Sequence, residues 1–143
     1  HLVFATLHTT SAALTINRII DVFPAEEKDM VRSMLSDSLQ AVVTQALLKK
    51  VQGGRIAAHE IMVGTPAVRN LIREDKVAQI YSVIQTSSSL QMKTLDQSLS
   101  ALVDDGVISL ETAREKAVSP KHISKDERNN YSLPSFPEFM KPN

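Results

Sequence analysis

The sequence contains no cysteine, no tryptophan and few aromatic residues, and each shortage disfavours a class of function. Without cysteine in its 143 residues, the chain cannot form disulfide bonds, use a thiol nucleophile or bind zinc through thiolates. Aromatic residues make up only 4%, which disfavours nucleic-acid binding by base stacking. The formal net charge is +0, so no basic field attracts a phosphate backbone. We therefore predict no nucleic-acid partner.

Long hydrophobic runs and targeting segments are also missing. No apolar run approaches the roughly 20 residues that cross a membrane, and the start of the chain lacks the basic residues and cleavage site of a signal peptide. The lack of cysteine is compatible with a reducing cytoplasm. Instead of an initiator methionine, His1 precedes the apolar run 2–5. We therefore expect the chain to be a piece of a longer cytoplasmic protein.

The first part of the sequence alternates between strand and helix patterns. Residues 2–7 are almost all apolar, which is typical of a strand buried on both faces of a parallel sheet. Hydroxyl side chains at 9–11 can cap a helix, and the apolar spacing after them predicts that helix over 11–22. A second helical stripe, opened by Pro24, predicts a helix over 24–44.

A glycine pair divides the next two apolar runs. Residues 45–51 and 55–63 flank Gly53 and Gly54, which predicts a β-hairpin that ends at Gly64. This completes a predicted first domain over 1–64, of the α/β class.

The remainder up to 118 has helical periodicity and predicts an all-helical region over 65–118. It starts at Thr65-Pro66, a cap followed by proline at the first helical position. Residues at three- and four-residue steps form a stripe that we assign to the core: Met92, Leu95, Leu99 and Leu102. Residues 119–143 hold four of the six prolines and are predicted to form a mobile tail.

Histidine and threonine side chains follow the first predicted strand. In open α/β sheets ligands bind beyond the carboxyl ends of strands, where His8 stands, and a neutral imidazole there can donate to a phosphate oxygen. Thr6, Thr9 and Thr10 add hydroxyl donors. A lone histidine is more often a structural group, and these threonines could equally be cap and strand residues. His1 lies about 20 Å away along an extended strand, so it should not act together with His8.

The remaining histidines carry no site signal. His59-Glu60 is not a zinc motif, because no second histidine follows at helical spacing, and it fits a half-buried strand. We predict no metal site within this sequence.

Two stretches of the sequence resemble a known family. The run HLVFATLHTTSAALTINRIIDVFP resembles the histidine box and following helix of the secretion-type ATPases. The run AHEIMVGTPAVRNLIRE resembles the signature of one branch, the PilT retraction motors of type IV pili, and MKTLDQSLSALV resembles a later segment of the same family. The resemblance covers residues 1 to about 118. Leu14 and Asn17 depart from the lysine and aspartate expected there.

The branch signature is an eight-residue motif, Ala-Ile-Arg-Asn-Leu-Ile-Arg-Glu. It is present with one isoleucine-to-valine change as Ala67, Val68, Arg69, Asn70, Leu71, Ile72, Arg73 and Glu74. Helical spacing predicts that Val68, Leu71 and Ile72 face inward. It places Arg69 and Arg73 one turn apart on an exposed row, where a partner or a nearby acidic group would offset their repulsion. The alternative is a solvated basic row.

The resemblance implies a fold and a function. The fold is the second half of a RecA-like P-loop ATPase core followed by an all-helical region. The function is that of the carboxyl-terminal part of a hexameric ATPase that powers pilus retraction and twitching motility. His8 would lie near the γ-phosphate and sense it, with a weaker role for His1, and Thr6, Thr9 and Thr10 would contact the nucleotide. The motor would be cytoplasmic and peripheral to the inner membrane at the pilus base, docked on the machine's inner-membrane platform protein.

Some parts that the family requires are not in the sequence. No Gly-x-x-x-x-Gly-Lys-Ser/Thr occurs in it, and that loop supplies the phosphate cradle and a magnesium ligand. ATP and Mg²⁺ are therefore expected only in the full-length protein, and the chain alone is expected to be inactive, to bind neither tightly and, with an unpaired first strand, to self-associate.

Two alternatives remain. The chain could be mainly a docking module, or a portion of a pilus-extension or type II secretion ATPase. The motif at 67–74 and the lack of cysteines for a zinc module argue against the second alternative.

Overall fold

The structure, a computed structural model, describes residues 1–124. The charged run 125–128 and the rest of the predicted tail lie outside the described residues. The α-helices are α1 (Ala12–Asp21), α2 (Lys28–Ser38), α3 (Pro66–Arg73), α4 (Ile80–Thr86), α5 (Leu95–Asp104) and α6 (Leu110–Lys116). The strands are β1 (Ala41–Lys49) and β2 (Arg55–Val63), and 3-10 turns cover Ala25–Glu27, Val77–Gln79, Ser88–Leu90 and Pro120–His122.

The predicted hairpin is confirmed, with a longer first strand. The two strands pair antiparallel from Ala41 opposite Val63 to Lys49 opposite Arg55. Gly53 and Gly54 lie in the connecting turn with φ values of 88° and 74°, a backbone region that other residues rarely adopt.

The helix predicted over 24–44 is too long. A 3-10 turn and α2 account for residues 25–38, and β1 begins at Ala41. Around the new boundary the exposure alternates, since Val42 is 8% and Val43 is 61% exposed. Two adjacent valines are compatible with a helix or with a strand, and pairing with β2 stabilises the strand.

The strand predicted over 2–7 is not present in the structure. Residues 1–9 contain no strand or helix, and Leu2, Val3 and Phe4 are 75%, 77% and 89% exposed. A strand needs a neighbour to accept and donate its backbone hydrogen bonds. Among the described residues, β1 and β2 pair only with each other and with one isolated bridge at Lys93, so these apolar residues have no sheet to join.

Two apolar clusters pack against the hairpin. One joins α1 to α4 with the open half of the hairpin, and its buried members include Ile16, Ile20, Val42, Met62, Val68, Ile72, Ile80 and Ile84. The other joins α5 and α6 with the turn half, through Leu48, Ala58, Leu99, Val103, Ile108 and Ile123. The core stripe predicted at 92–102 is confirmed, because its residues are buried or packed against these clusters.

The first residues of the predicted mobile tail are packed on the protein instead. Residues 120–122 form a 3-10 turn and Ile123 is 1% exposed. Arg114 donates from Nη2 to the carbonyl of Ile123 at 3.1 Å. The four prolines led us to predict a mobile segment, but Ile123 packs this part of it on the second cluster.

Hydroxyl residues cap the helices where the sequence predicted. Ser11, Thr65 and Ser109 accept from backbone N–H groups of α1, α3 and α6. Thr94 and Gln97 form a reciprocal capping box at α5. These caps satisfy donors that a helix start leaves unpaired.

Arg69 of α3 hydrogen-bonds to two other segments of the chain. The prediction that Arg69 and Arg73 form one exposed row is therefore wrong for Arg69. Its Nε donates to the Gly64 carbonyl at 2.7 Å, and its Nη1 donates to the carbonyls of Ser36, at 2.7 Å, and Asp37. The last carbonyls of a helix lack intrahelical partners, so this guanidinium caps the end of α2. Arg73 does remain exposed and pairs with Asp37 Oδ1 at 2.9 Å. The predicted nearby acid is thus present, but only Arg73 is a surface residue.

Replacing Arg69 should destabilise the protein far more than replacing Arg73. We expect Arg69→Ala to lower the free energy of unfolding by about 2–4 kcal/mol, because charge-assisted hydrogen bonds are lost and helix-end carbonyls are left without a donor. Arg73→Ala removes one exposed ion pair and should cost under about 1 kcal/mol. Urea denaturation of both variants measures the difference. Equal losses would contradict the capping role.

Gly64 should resist substitution for a steric reason. A Cβ at this position would lie 2.2 Å from the Leu39 carbonyl oxygen, so Gly64→Ala must push β1 and β2 apart where Gly64 N donates to the Gln40 carbonyl. Gly53→Ala is the matched control, since its Cβ would meet nothing within 4 Å and its cost is confined to about 1 kcal/mol of backbone strain. Thermal melts should place Gly64→Ala well below the control. A melt at or above that of Gly53→Ala would contradict the close approach.

Candidate functional site

The segment that carries His8 is fastened to the start of α1. Thr9 Oγ1 lies 2.6 Å from Thr15 Oγ1, and the Thr15 hydroxyl donates to the Ser11 carbonyl at 2.9 Å. Ser11 in turn accepts from the Leu14 amide as the helix cap. The position of this segment is therefore set by the first turn of α1.

A hollow of about 290 Å³ opens beside this turn. It is lined by His8, Thr9, Thr10, Leu14, Asn17, Arg18 and Asp21. The two departures from the family sequence, Leu14 and Asn17, are thus in the hollow itself. A hydrogen bond from Lys28 and its charge hold the pKa of Asp21 below its usual range, so Asp21 is ionised at neutral pH.

A second hollow, of about 710 Å³, lies between the same segment and β1. Thr6, His8, Thr9 and Thr10 line it together with residues 41–45. The structure therefore brings together four of the five predicted site residues. His1 lines neither hollow.

The donors around His8 suit an anionic oxygen. An imidazole and three threonine hydroxyls can all donate hydrogen bonds, and they precede a ten-residue helix, whose dipole favours negative charge at that end. The Arg18 guanidinium, from the last turn of the same helix, lines the first hollow as well.

The two hollows offer few ligands for a divalent cation. Asp21 is the one acidic residue that lines the two hollows, and within residues 1–124 no group of three or more His, Asp or Glu side chains could hold a metal ion. The described residues therefore do not form a magnesium site.

Glu60 is a buried carboxylate that we did not single out from the sequence. It is 2% exposed, and its Oε1 accepts the Ala12 amide at 2.7 Å. The sequence did carry a signal: Ala58, Glu60 and Met62 occupy alternate positions of a strand, so an acid falls where the pattern requires an inward side chain. His59, beside it, is half-buried as predicted.

The solvent-facing side of the 67–74 helix is what we call the α3 surface: Ala67, Asn70, Arg73 and Glu74. Asn70 Nδ2 donates to Glu74 Oε1 at 2.9 Å. Lys76, at 2.7 Å from the other carboxylate oxygen, holds the pKa of Glu74 below its usual range, with help from Asn70. Val68 and Ile72 are fully buried and Leu71 packs on the first cluster, so the predicted inward face is confirmed.

Within the described part of the chain, no helix combines the length and the apolar character needed to cross a membrane.

The chain is similar in sequence to part of a pilus retraction ATPase and to part of a twitching motility protein. No protein-family model matches it. It is 70% identical over 123 residues to the type IV pilus retraction ATPase PilT of Pseudomonas aeruginosa, which covers 86% of this chain and 36% of that protein. A twitching motility protein of Neisseria gonorrhoeae is 59% identical over 125 residues, covering 87% of this chain and 33% of that protein. The chain thus spans about a third of the length of these relatives.

Solved structures agree with the sequence comparison. The crystal structure of the pilus retraction motor PilT with bound ADP matches 85% of this chain and 34% of its own, with a TM-score of 0.75 and 46% identity. The ATPase DotB of Legionella pneumophila matches 76% of this chain and 29% of its own, with a TM-score of 0.62 at 20% identity, a likeness of fold alone. The prediction of a partial α/β ATPase fold is confirmed. Over 86% of its length the chain is similar in sequence to the type IV pilus retraction ATPase PilT, and its fold is similar to part of the PilT motor structure.

Proposed function

We propose that this chain is the carboxyl-terminal part of a hexameric ATPase that powers type IV pilus retraction and twitching motility. The observation that carries the proposal is the 70% identity to a type IV pilus retraction ATPase, combined with the intact His8–Thr10 segment at the start of α1. The matched stretch of 123 among the 143 residues is long enough that it must include α3.

His8 is the residue that faces the terminal phosphate of ATP in this proposal. It shares the hollow beside α1 with Thr9, Thr10 and Arg18, and Thr6 joins it in the second hollow. ATP binds with Mg²⁺ in the full-length protein, and other parts of that protein supply the metal ligands and the phosphate loop. The chain alone is expected to be inactive.

The α3 surface is the proposed contact with the rest of the machine. It presents an amide, a guanidinium and a carboxylate side by side, and none of them is needed for the apolar packing of α3. The proposed partners are neighbouring subunits of the hexamer and the inner-membrane platform protein, with the motor cytoplasmic and peripheral to that membrane at the pilus base. The same surface supports a second candidate, a docking module in which α3 matters more than the hydrolysis site.

The first experiment measures ATP hydrolysis by the full-length protein and by His8→Ala. We expect the variant to lower kcat about tenfold or more while KM for ATP changes less, because the histidine meets only the terminal phosphate and one charge-assisted contact is worth roughly 1.5–3 kcal/mol. His122→Ala, an exposed histidine far along the chain, is the control. Absence of hydrolysis in the parent would overturn the proposed function, and an unchanged kcat in His8→Ala would overturn the role of His8.

The second experiment tests the α3 surface through Arg73 alone. Reversing its charge disrupts only the exposed pair with Asp37, so it should lower the free energy of unfolding by no more than about 1 kcal/mol. It should leave hydrolysis measurable, since Val68 and Ile72 carry the packing. Twitching should be lost, because attraction across the contact becomes repulsion. Arg55→Glu, an exposed reversal at the end of the hairpin, is the matched control. Normal twitching in Arg73→Glu would show that the α3 surface is only solvated.

A further inference from the structure

The strongest unexplained feature of the structure is the contact between Glu60 and the start of α1. The two groups lie 48 residues apart in sequence, and Glu60 is almost fully buried. Burying a carboxylate costs free energy unless hydrogen bonds compensate it, so the burial of Glu60 indicates a specific role. Its Oε1 accepts the Ala12 amide at 2.7 Å.

The Ala12 amide has no other acceptor available within its helix. The first four N–H groups of an α-helix lack intrahelical partners, and the cap residue Ser11 uses its hydroxyl on Leu14. Glu60 therefore supplies from β2 the acceptor that the helix cannot supply.

Ala12 is next to the segment that carries the site. The hydrogen bonds of Thr9 and Thr15 fix residues 8–10 to this same turn. A shift of the first turn relative to β2 would move His8 with it. We propose that Glu60 is a positioning residue that sets the location of His8 by anchoring α1 to the hairpin. This inference rests on the proposed ATPase function.

The second oxygen of Glu60 shows which property matters. Oε2 is buried without a hydrogen-bond partner among the described residues, as is Oγ1 of Thr44, which stands opposite Glu60 in the strand register. Replacing Oε2 by an amide nitrogen removes no contact, whereas moving Oε1 away from Ala12 removes the anchor. The position therefore requires a side chain long enough to bring an acceptor oxygen to the Ala12 amide, rather than a charge.

Two substitutions in the full-length protein distinguish the effect of side-chain length from the effect of charge. Glu60→Gln keeps the length and the Oε1 acceptor, and it should retain kcat within about threefold of the parent. Glu60→Asp keeps the charge but is one methylene too short to reach Ala12. It should lower kcat about tenfold, the effect of losing roughly one charge-assisted hydrogen bond, with KM for ATP changed less than twofold. Activity lost in Glu60→Gln and kept in Glu60→Asp would overturn the proposal.

A double-mutant cycle tests whether Glu60 acts through His8. If it does, Glu60→Asp should cost little further activity in the His8→Ala background, because residues that act as one unit are not additive. Fully additive losses would overturn the proposal. Ser98→Ala is the matched structural control. Its hydroxyl lies on α5 and accepts the amide of His59, the neighbour of Glu60 on β2, at 3.2 Å, so its hydrogen bond joins β2 to α5 rather than to α1. A loss of kcat in this variant equal to that in Glu60→Asp would reduce Glu60 to a general stabilising group.

A further variant covers the case in which Glu60→Asp fails to fold. Ala12→Pro removes the same donor from the helix side, at a position where proline is commonly accepted, and Ser11 already has the extended backbone that precedes proline. It should show the same fall in kcat, and normal kcat would overturn the proposal. If the parent itself does not hydrolyse ATP, the proposed function fails. If the parent hydrolyses ATP and the variants match it, only the role of Glu60 fails.

Discussion

The antiparallel register between β1 and β2 determines where the important groups of this chain lie. It places Glu60 and Thr44 opposite each other and Gly64 beside Gln40. Because side chains alternate between the two faces of a strand, a slip of one residue would turn Ala58, Glu60 and Met62 outward and expose the core. Both apolar clusters pack against this hairpin, so its register also fixes the positions of α1 and α5.

The end of the hairpin depends on a second, polar constraint. Arg69 donates to carbonyls at the end of α2 and to the carbonyl of Gly64, just after β2. Gly64 lies so close to Leu39 that no larger residue fits. An arginine fork is well suited to such a junction because it offers several fixed donors at once. The eight-residue motif at 67–74 therefore combines a structural arginine with a surface arginine one turn later. The two arginines differ because Arg69 donates to main-chain carbonyls at the end of α2, whereas Arg73 pairs with the exposed carboxylate of Asp37.

Local patterns predicted much of this fold, and long-range contacts explain the misses. Glycine pairs, helix caps and three- to four-residue spacing located the hairpin, α1, α3 and the core stripe at 92–102, since each depends on residues that are close in sequence. The pattern at 42–44 was ambiguous until β2 was available to pair with it. The run 2–7 reads as a buried strand by composition, but a strand forms only where a neighbour is present. For the site, His8 and the threonines could be located from the sequence, whereas the partner of Arg69 and the contact of Glu60 with Ala12 could not, because each joins segments more than 30 residues apart.

These contacts form one continuous connection between the two regions that the proposed motor requires. His8 follows the first turn of α1, that turn is bonded to Glu60, and β2 continues from Glu60 through Met62 to Gly64, which accepts from Arg69 of α3. Every step is a backbone segment or a partly or fully buried hydrogen bond, so solvent competes weakly for the contacts along it. A displacement of the segment that carries His8 would thus act on the same strand that positions the α3 surface. In this arrangement Glu60 is the link at which α1 meets the strand, and that explains why a carboxylate occupies an inward position between an alanine and a methionine.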